Sequence, residues 1–173
     1  EKQQSKEQNG APVQLDLFAT EPYKSASVQN ELASRAVDLS KTNCEVIEDE
    51  EEIIAGLRNF LTCEKLAFQV AHTSLNAIAS KMCGLALCSE SGKVVFFNFG
   101  ERLSKGSKLH GTVKELLENP KSLKICHDMK FQYHVLKNMG VELRGRVFDT
   151  MLAYYVLQPE LKHDLFHLAE IFL

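Results

Sequence analysis

His72, His127 and Asp128 are the side chains in this sequence that could together hold a borderline metal ion. Imidazole nitrogens and a carboxylate oxygen are all zinc ligands. Asp128 also has a simpler use, because it stands directly before a stretch of helical periodicity and can cap it. Cys83 and Cys88 lie five residues apart, so on a strand they point to opposite faces and read as core rather than as a clamp. The five cysteines (Cys44, Cys63, Cys83, Cys88, Cys126) are odd in number and scattered. That pattern argues against a disulfide framework and for a reducing, cytoplasmic setting. Magnesium needs anionic oxygens, and no Asp or Glu occurs between Glu64 and Glu90. A last group, Gln14-Leu15-Asp16-Leu17-Phe18, is an apolar island in polar surroundings.

The elements that must position these groups are bounded by length and charge. A chain of 173 residues, 45% hydrophobic and 25% charged, allows one full domain plus tails. It has no apolar run of about 18 residues to span a membrane, and its polar start is not a secretory signal. The first residue is Glu1 rather than Met, which suggests a piece of a longer protein. The net charge of −3 is uneven. Residues 45–52 hold six acids and no base, while residues 53–173 hold eleven acids and fifteen bases. A mildly basic body is compatible with a polyanion partner without demanding one.

Residues 1–44 read as a flexible linker, rich in Gln, Ser, Asn, Glu and Ala, with a weak helix over 29–38. The spacing of Ile53, Ile54, Leu57, Phe60 and Leu61 predicts a helix over 48–61, its acids crowding the first turn where the dipole favours anions. Three strands follow: one centred on Leu66, Phe68 and Val70, then Met82–Cys88, then Lys93–Phe99, with residues 89–92 as a hairpin turn. Thr112 is expected to cap a helix carrying Val113, Leu116 and Leu117, and residues 122–126 read as a strand. Asp128 caps a helix whose Phe131, Val135, Leu136 and Met139 face inward, stopped by Gly140. After a brief extended piece at Val147-Phe148, Asp149 caps a helix carrying Leu152, Tyr155 and Val156 and ending near Pro159. Asp164 caps a last one carrying Leu165, Leu168, Ala169 and Phe172. A strand meander followed by helix–strand units describes a mixed α/β sheet of about five strands flanked by helices.

Leu143-Arg144-Gly145-Arg146-Val147-Phe148-Asp149-Thr150-Met151-Leu152 closely resembles the 3′–5′ exonuclease domain of bacterial family A DNA polymerases, the polymerase I group. The likeness continues through Tyr155, Leu157, His163-Asp164 and Leu168-Ala169-Glu170. Leu66-Ala67-Phe68, Ser74-Leu75 and Gly84-Leu85 fall in the same register. It covers residues 45–173 and implies a ribonuclease-H-like (DnaQ-like exonuclease) fold. It also implies a 5′-nuclease domain upstream and a polymerase domain downstream, in a parent enzyme that binds DNA in replication and repair and uses magnesium.

The family's chemistry rests on four carboxylates that hold two divalent metals, which activate a water and stabilise the leaving oxygen of a phosphodiester. The positions matching its first motif, Asp-x-Glu, are Gln69 and Ala71. The position matching the acid of Asn-x-x-x-Asp is Gln132, in Asp128-Met129-Lys130-Phe131-Gln132. The third motif would lie beyond residue 173. The resemblance therefore implies a degenerate exonuclease domain with no metal of its own, a structural or DNA-guiding module. By family position Leu75 matches a wedge against terminal bases, Phe131 an aromatic near the scissile phosphate, and Lys162 a phosphate contact. Lys130 is a further cation beside Phe131. An aromatic face with cations suits single-stranded nucleic acid. The island Gln14, Leu15, Asp16, Leu17 and Phe18 looks like the bacterial sliding-clamp-binding pentapeptide, offering Leu17 and Phe18 to an apolar pocket and Gln14 as a polar anchor. Two other classes stay open: an active exonuclease of the same fold, proofreading or ribonuclease-D-like, using variant ligands, and a stand-alone interaction module.

Overall fold

The computed structural model describes residues 43–90 and 92–173. The pentapeptide Gln14–Phe18 and the weak helix expected over 29–38 lie outside those residues. In chain order the elements are β1 (Asn43–Ile47), α1 (Glu50–Asn59), β2 (Lys65–His72), β3 (Met82–Glu90), β4 (Lys93–Asn98), α2 (Lys108–Leu117), β5 (Leu123–Cys126), α3 (Met129–Asn138), β6 (Val147–Asp149), α4 (Thr150–Leu157) and α5 (Leu165–Phe172).

Six described strands form one sheet in the order β1-β4-β3-β2-β5-β6. β2, β3 and β4 make an antiparallel meander, while β5 pairs parallel with β2 and β6 parallel with β5. β1 was not expected. It pairs parallel with β4 from Asn43↔Lys93 to Ile47↔Phe97, so the sheet has six strands rather than about five and begins inside the expected linker. Period two splits β2 cleanly: Leu66, Phe68 and Val70 are buried on one face, and Ala67, Gln69 and Ala71 lie on the other. The buried face carries the core. Leu66, Phe68, Leu85, Leu87 and Phe97 meet Ile53, Ile54 and Leu57 of α1, Leu109, Val113, Leu116 and Leu117 of α2, and Val135 and Leu136 of α3.

Helix starts are set locally. Asp49 accepts from the Glu51 and Glu52 N–H groups, and the three glutamates that follow sit in the favourable first turn of α1. α2 is capped by Ser107, whose Oγ accepts from His110 N–H, and not by Thr112. Thr112 lies a turn inside the helix, buried, its hydroxyl donating to Lys108 O. On α4 the buried residue is Tyr154, while Leu152, Tyr155 and Val156 are more than half exposed. On α5 Leu168 is buried and Leu165 more than half exposed. Cys83 and Cys88 are half-buried rather than core.

Between α2 and β6 the backbone is held from below by a lysine. Lys124 is fully buried, and its Nζ donates to Asn119 O and, at 2.7 Å, to Arg144 O. Burial pushes its pKa down. Gly145 lies over the same junction at φ 86°, where a Cβ would sit 2.7 Å from Pro120 O. The backbone there tolerates no side chain, which is why glycine occupies the position.

Candidate functional site

The expected site positions gather where β2 ends against the first turn of α3. Gln69 is exposed and Ala71 half-buried, both on the face of β2 away from the core. Gln132 is 1% exposed. Its Oε1 accepts from the Val70 N–H at 2.8 Å, and its Nε2 faces His127 O at 3.5 Å. The register explains the bond. β5 pairs with β2 only as far as Ala67, so the Val70 N–H, three residues further on, has no strand partner on that edge. A buried N–H left alone is costly, and Gln132 supplies the acceptor.

The surrounding carboxylates are also committed to backbone. Asp128 caps α3 from a left-handed conformation (φ 55°) that Asp tolerates better than most residues, and it accepts from Phe131 N–H. Asp149 does more than cap α4. One oxygen accepts from Met151 N–H at 2.9 Å and the other from Met129 N–H at 2.8 Å, so a single side chain holds the starts of two helices. Between them, Cys126 is buried, and its thiol pKa is pushed up to about 12 by burial first, then by the charges of Asp149 and Asp128. The Thr150 hydroxyl donates to Cys126 O at 3.3 Å and so accepts from His127 Nδ1–H at 2.9 Å. His72 Nδ1 bonds Ser74 O at 2.9 Å, and its ring lies 4.5 Å from that of Phe131. Among the described residues no three His, Cys, Asp or Glu side chains converge to hold a metal ion, His72, His127 and Asp128 included.

The remaining expected residues are only partly brought together. Phe131 packs half-buried against the core beside His72. Leu75 is 91% exposed on the β2–β3 loop. Lys130 is exposed and borders a cavity with Met129, Tyr133, Leu143 and Val147, on another side of α3 from Gln132. Lys162 is exposed in the turn between α4 and α5, and no described bond joins it to this group. Next to Gln69, an apolar groove of about 240 Å³ runs along the non-core face of the sheet past Ala67, Ala86, Cys88 and Val94 to Leu165. The double grip of Asp149 and the Gln132–Val70 bond were missed in the sequence. Neither leaves a local signal beyond the amide at residue 132.

A mixed sheet in this order, with helices on it, defines the class: a ribonuclease-H-like exonuclease fold. NrnC of Brucella melitensis, bound to pGG, superposes with TM-score 0.60 at 16% identity, over 75% of this chain and 60% of its own. A family profile described as 3′–5′ exonuclease matches residues 44–173. DNA polymerase I of Pseudomonas aeruginosa is 29% identical over 140 residues, 75% of this chain and 15% of that protein. DNA polymerase I of Synechocystis is 35% identical over 106 residues, 58% of this chain and 11% of that protein. The chain belongs to the 3′–5′ exonuclease domain family of DNA polymerase I. It spans about one seventh of the length of the Pseudomonas relative. Among the described residues no helix is long and apolar enough to cross a membrane.

Proposed function

We propose that this chain is an exonuclease-like domain of a DNA polymerase I in which metal-dependent proofreading has been given up. In this reading it serves as a spacer between flanking nuclease and polymerase domains and guides single-stranded DNA. The observation that carries the proposal is the bond from the Val70 N–H to Gln132 Oε1. The oxygen at the position of the second-motif acid is buried and occupied by backbone. Gln69 and Ala71 bring no charge, and Asp128 and Asp149 are spent on helix N-termini. Two divalent ions a few Å apart repel strongly unless anionic ligands lie between them, so these residues do not fit a metal pair. Groups that suit unpaired bases remain beside this site, with Leu75 exposed on the β2–β3 loop and Phe131 half-buried against His72.

The test uses the full-length polymerase and a 5′-labelled single strand, incubated with magnesium or manganese and no nucleotides. The strand is expected to keep its 3′ end. Shortening from the 3′ end that disappears in Gln69→Ala and Gln132→Ala would overturn the proposal. The pentapeptide is part of the same reading: Leu17 and Phe18 dock on the bacterial sliding clamp, with Gln14 as a polar anchor. A peptide of residues 10–22 titrated against the clamp checks it. No binding at high micromolar concentration, or equal binding after Leu17→Ala and Phe18→Ala, removes it.

A further inference from the structure

The loop of residues 73–81, between β2 and β3, carries two large aliphatic side chains almost wholly in solvent, Leu75 at 91% and Ile78 at 78% exposed. It is nonetheless closely bonded. Thr73 N–H donates to Lys81 O, Ser74 N–H to Ser80 Oγ, Asn76 N–H to Ser74 Oγ, Ile78 N–H to Asn76 Oδ1 and Lys81 N–H to Thr73 Oγ1, all within 3.2 Å. The outside anchor is Asn138, the last residue of α3. Its Nδ2 donates to Ala77 O at 2.8 Å, Ile78 O at 2.9 Å and Ser80 O at 3.0 Å. An amide NH₂ has two hydrogens, so three carbonyls converge on it and one hydrogen is shared. α3 thus touches β2 and its loop at three heights: Phe131 on His72, Gln132 on Val70, Asn138 on the loop. Holding exposed aliphatic groups on an ordered loop means that a partner need not meet the ordering cost when it binds. Lys81, the last residue of the loop, and Lys105 line one cavity, with Glu101 as the acid among its lining residues, which suits a partner carrying phosphates.

We propose that Asn138 is a positioning residue for single-strand contact: its amide locks loop 73–81 so that Leu75 and Ile78 stand ready against the unpaired terminal bases of a DNA 3′ end. This rests on the DNA-guiding reading above. Leu75 and Ile78 make the contact, and Asn138 acts through them without touching DNA.

The experiment uses the full-length polymerase and a single strand with 2-aminopurine as the 3′-terminal base. A second strand carries the probe internally, and melting curves are recorded for each variant. Binding is expected to change the terminal probe's fluorescence in the natural protein. Leu75→Ala/Ile78→Ala removes that change. Asn138→Asp, which turns the two donors into an oxygen facing three carbonyls, removes it too and weakens binding of the strand about tenfold. The internal probe reports unchanged stacking, and amide exchange speeds up at residues 77–81. If the Leu75/Ile78 variant keeps the terminal signal, the DNA-guiding reading fails and the inference with it. If that variant loses the signal while Asn138→Asp stays within twofold of the natural protein, the role of Asn138 alone is overturned. Should Asn138→Asp not fold, Asn138→Ser, which keeps one donor, is judged by the same two signals.

Discussion

Replacing Gln132 with Ala tests the most consequential contact in the site. The side chain is buried, and its oxygen is the acceptor for the Val70 N–H at 2.8 Å, where β5 no longer reaches β2. Removing it leaves a buried donor unpaired, at a cost of about 1–3 kcal/mol. The lost methylene adds about 0.8 kcal/mol. The expected destabilisation is therefore about 2–4 kcal/mol, or roughly 10 °C in melting temperature for a domain of this size. Urea unfolding should show a lower midpoint at unchanged slope, and exchange at the Val70 amide should lose its protection. Gln132→Glu sharpens the test. One oxygen can still accept from Val70, but the other then faces His127 O, an acceptor against an acceptor. Burial raises the pKa of an introduced carboxyl above its unfolded value of about 4.3. The variant should therefore match the natural protein below about pH 4 and lose ground as pH rises through the folded value. An alanine variant within about 0.5 kcal/mol of the natural protein, the scatter of an ordinary surface change, with the Val70 amide still protected, would show that the bond does not hold β2 to α3.

Other consequences can be measured in the same way. Asp149→Ala removes acceptors from two helix starts and should cost about 2–3 kcal/mol, with Asp149→Asn intermediate because it keeps one acceptor; urea midpoints rank them. Gly145→Ala combines a positive φ with a Cβ 2.7 Å from Pro120 O, and should cost about 2–3 kcal/mol on the same scale. The Cys126 thiol, held up at about 12, resists alkylation at pH 8 until the protein unfolds, in contrast to exposed Cys44. Because its folded pKa is raised, its contribution to stability is complete below the ordinary value of 9.0 and declines as pH rises towards 12, which unfolding across that window would show.

The sequence made legible whatever is decided within a few residues. Asp128, Asp149 and Asp164 each cap the helix expected of them, because a cap is a bond to an N–H two or three positions away. The hairpin and the alternation of β2 were visible for the same reason. β1 was hidden, since Asn43, Cys44 and Glu45 are exposed and gain strand form only from a partner fifty residues on. On α4 the sequence singled out exposed residues and missed Tyr154, because that helix is apolar on nearly every side and periodicity marks no face. At the site, the types of residues 69, 71 and 132 could be read directly. That the amide of 132 serves the backbone of β2 depends on where β5 stops, which only the folded sheet reveals.

The edge strand β1 also has a mechanical consequence. It enters the sheet at the hairpin end, where Asn43 N–H donates to Gly92 O, and runs beside β4 for five paired residues. A pull along the strand axis on the segment before Asn43 strains those rungs together instead of peeling them off in turn. Such a pull would arrive at the opposite end of the sheet from His72 and the loop that bears Leu75.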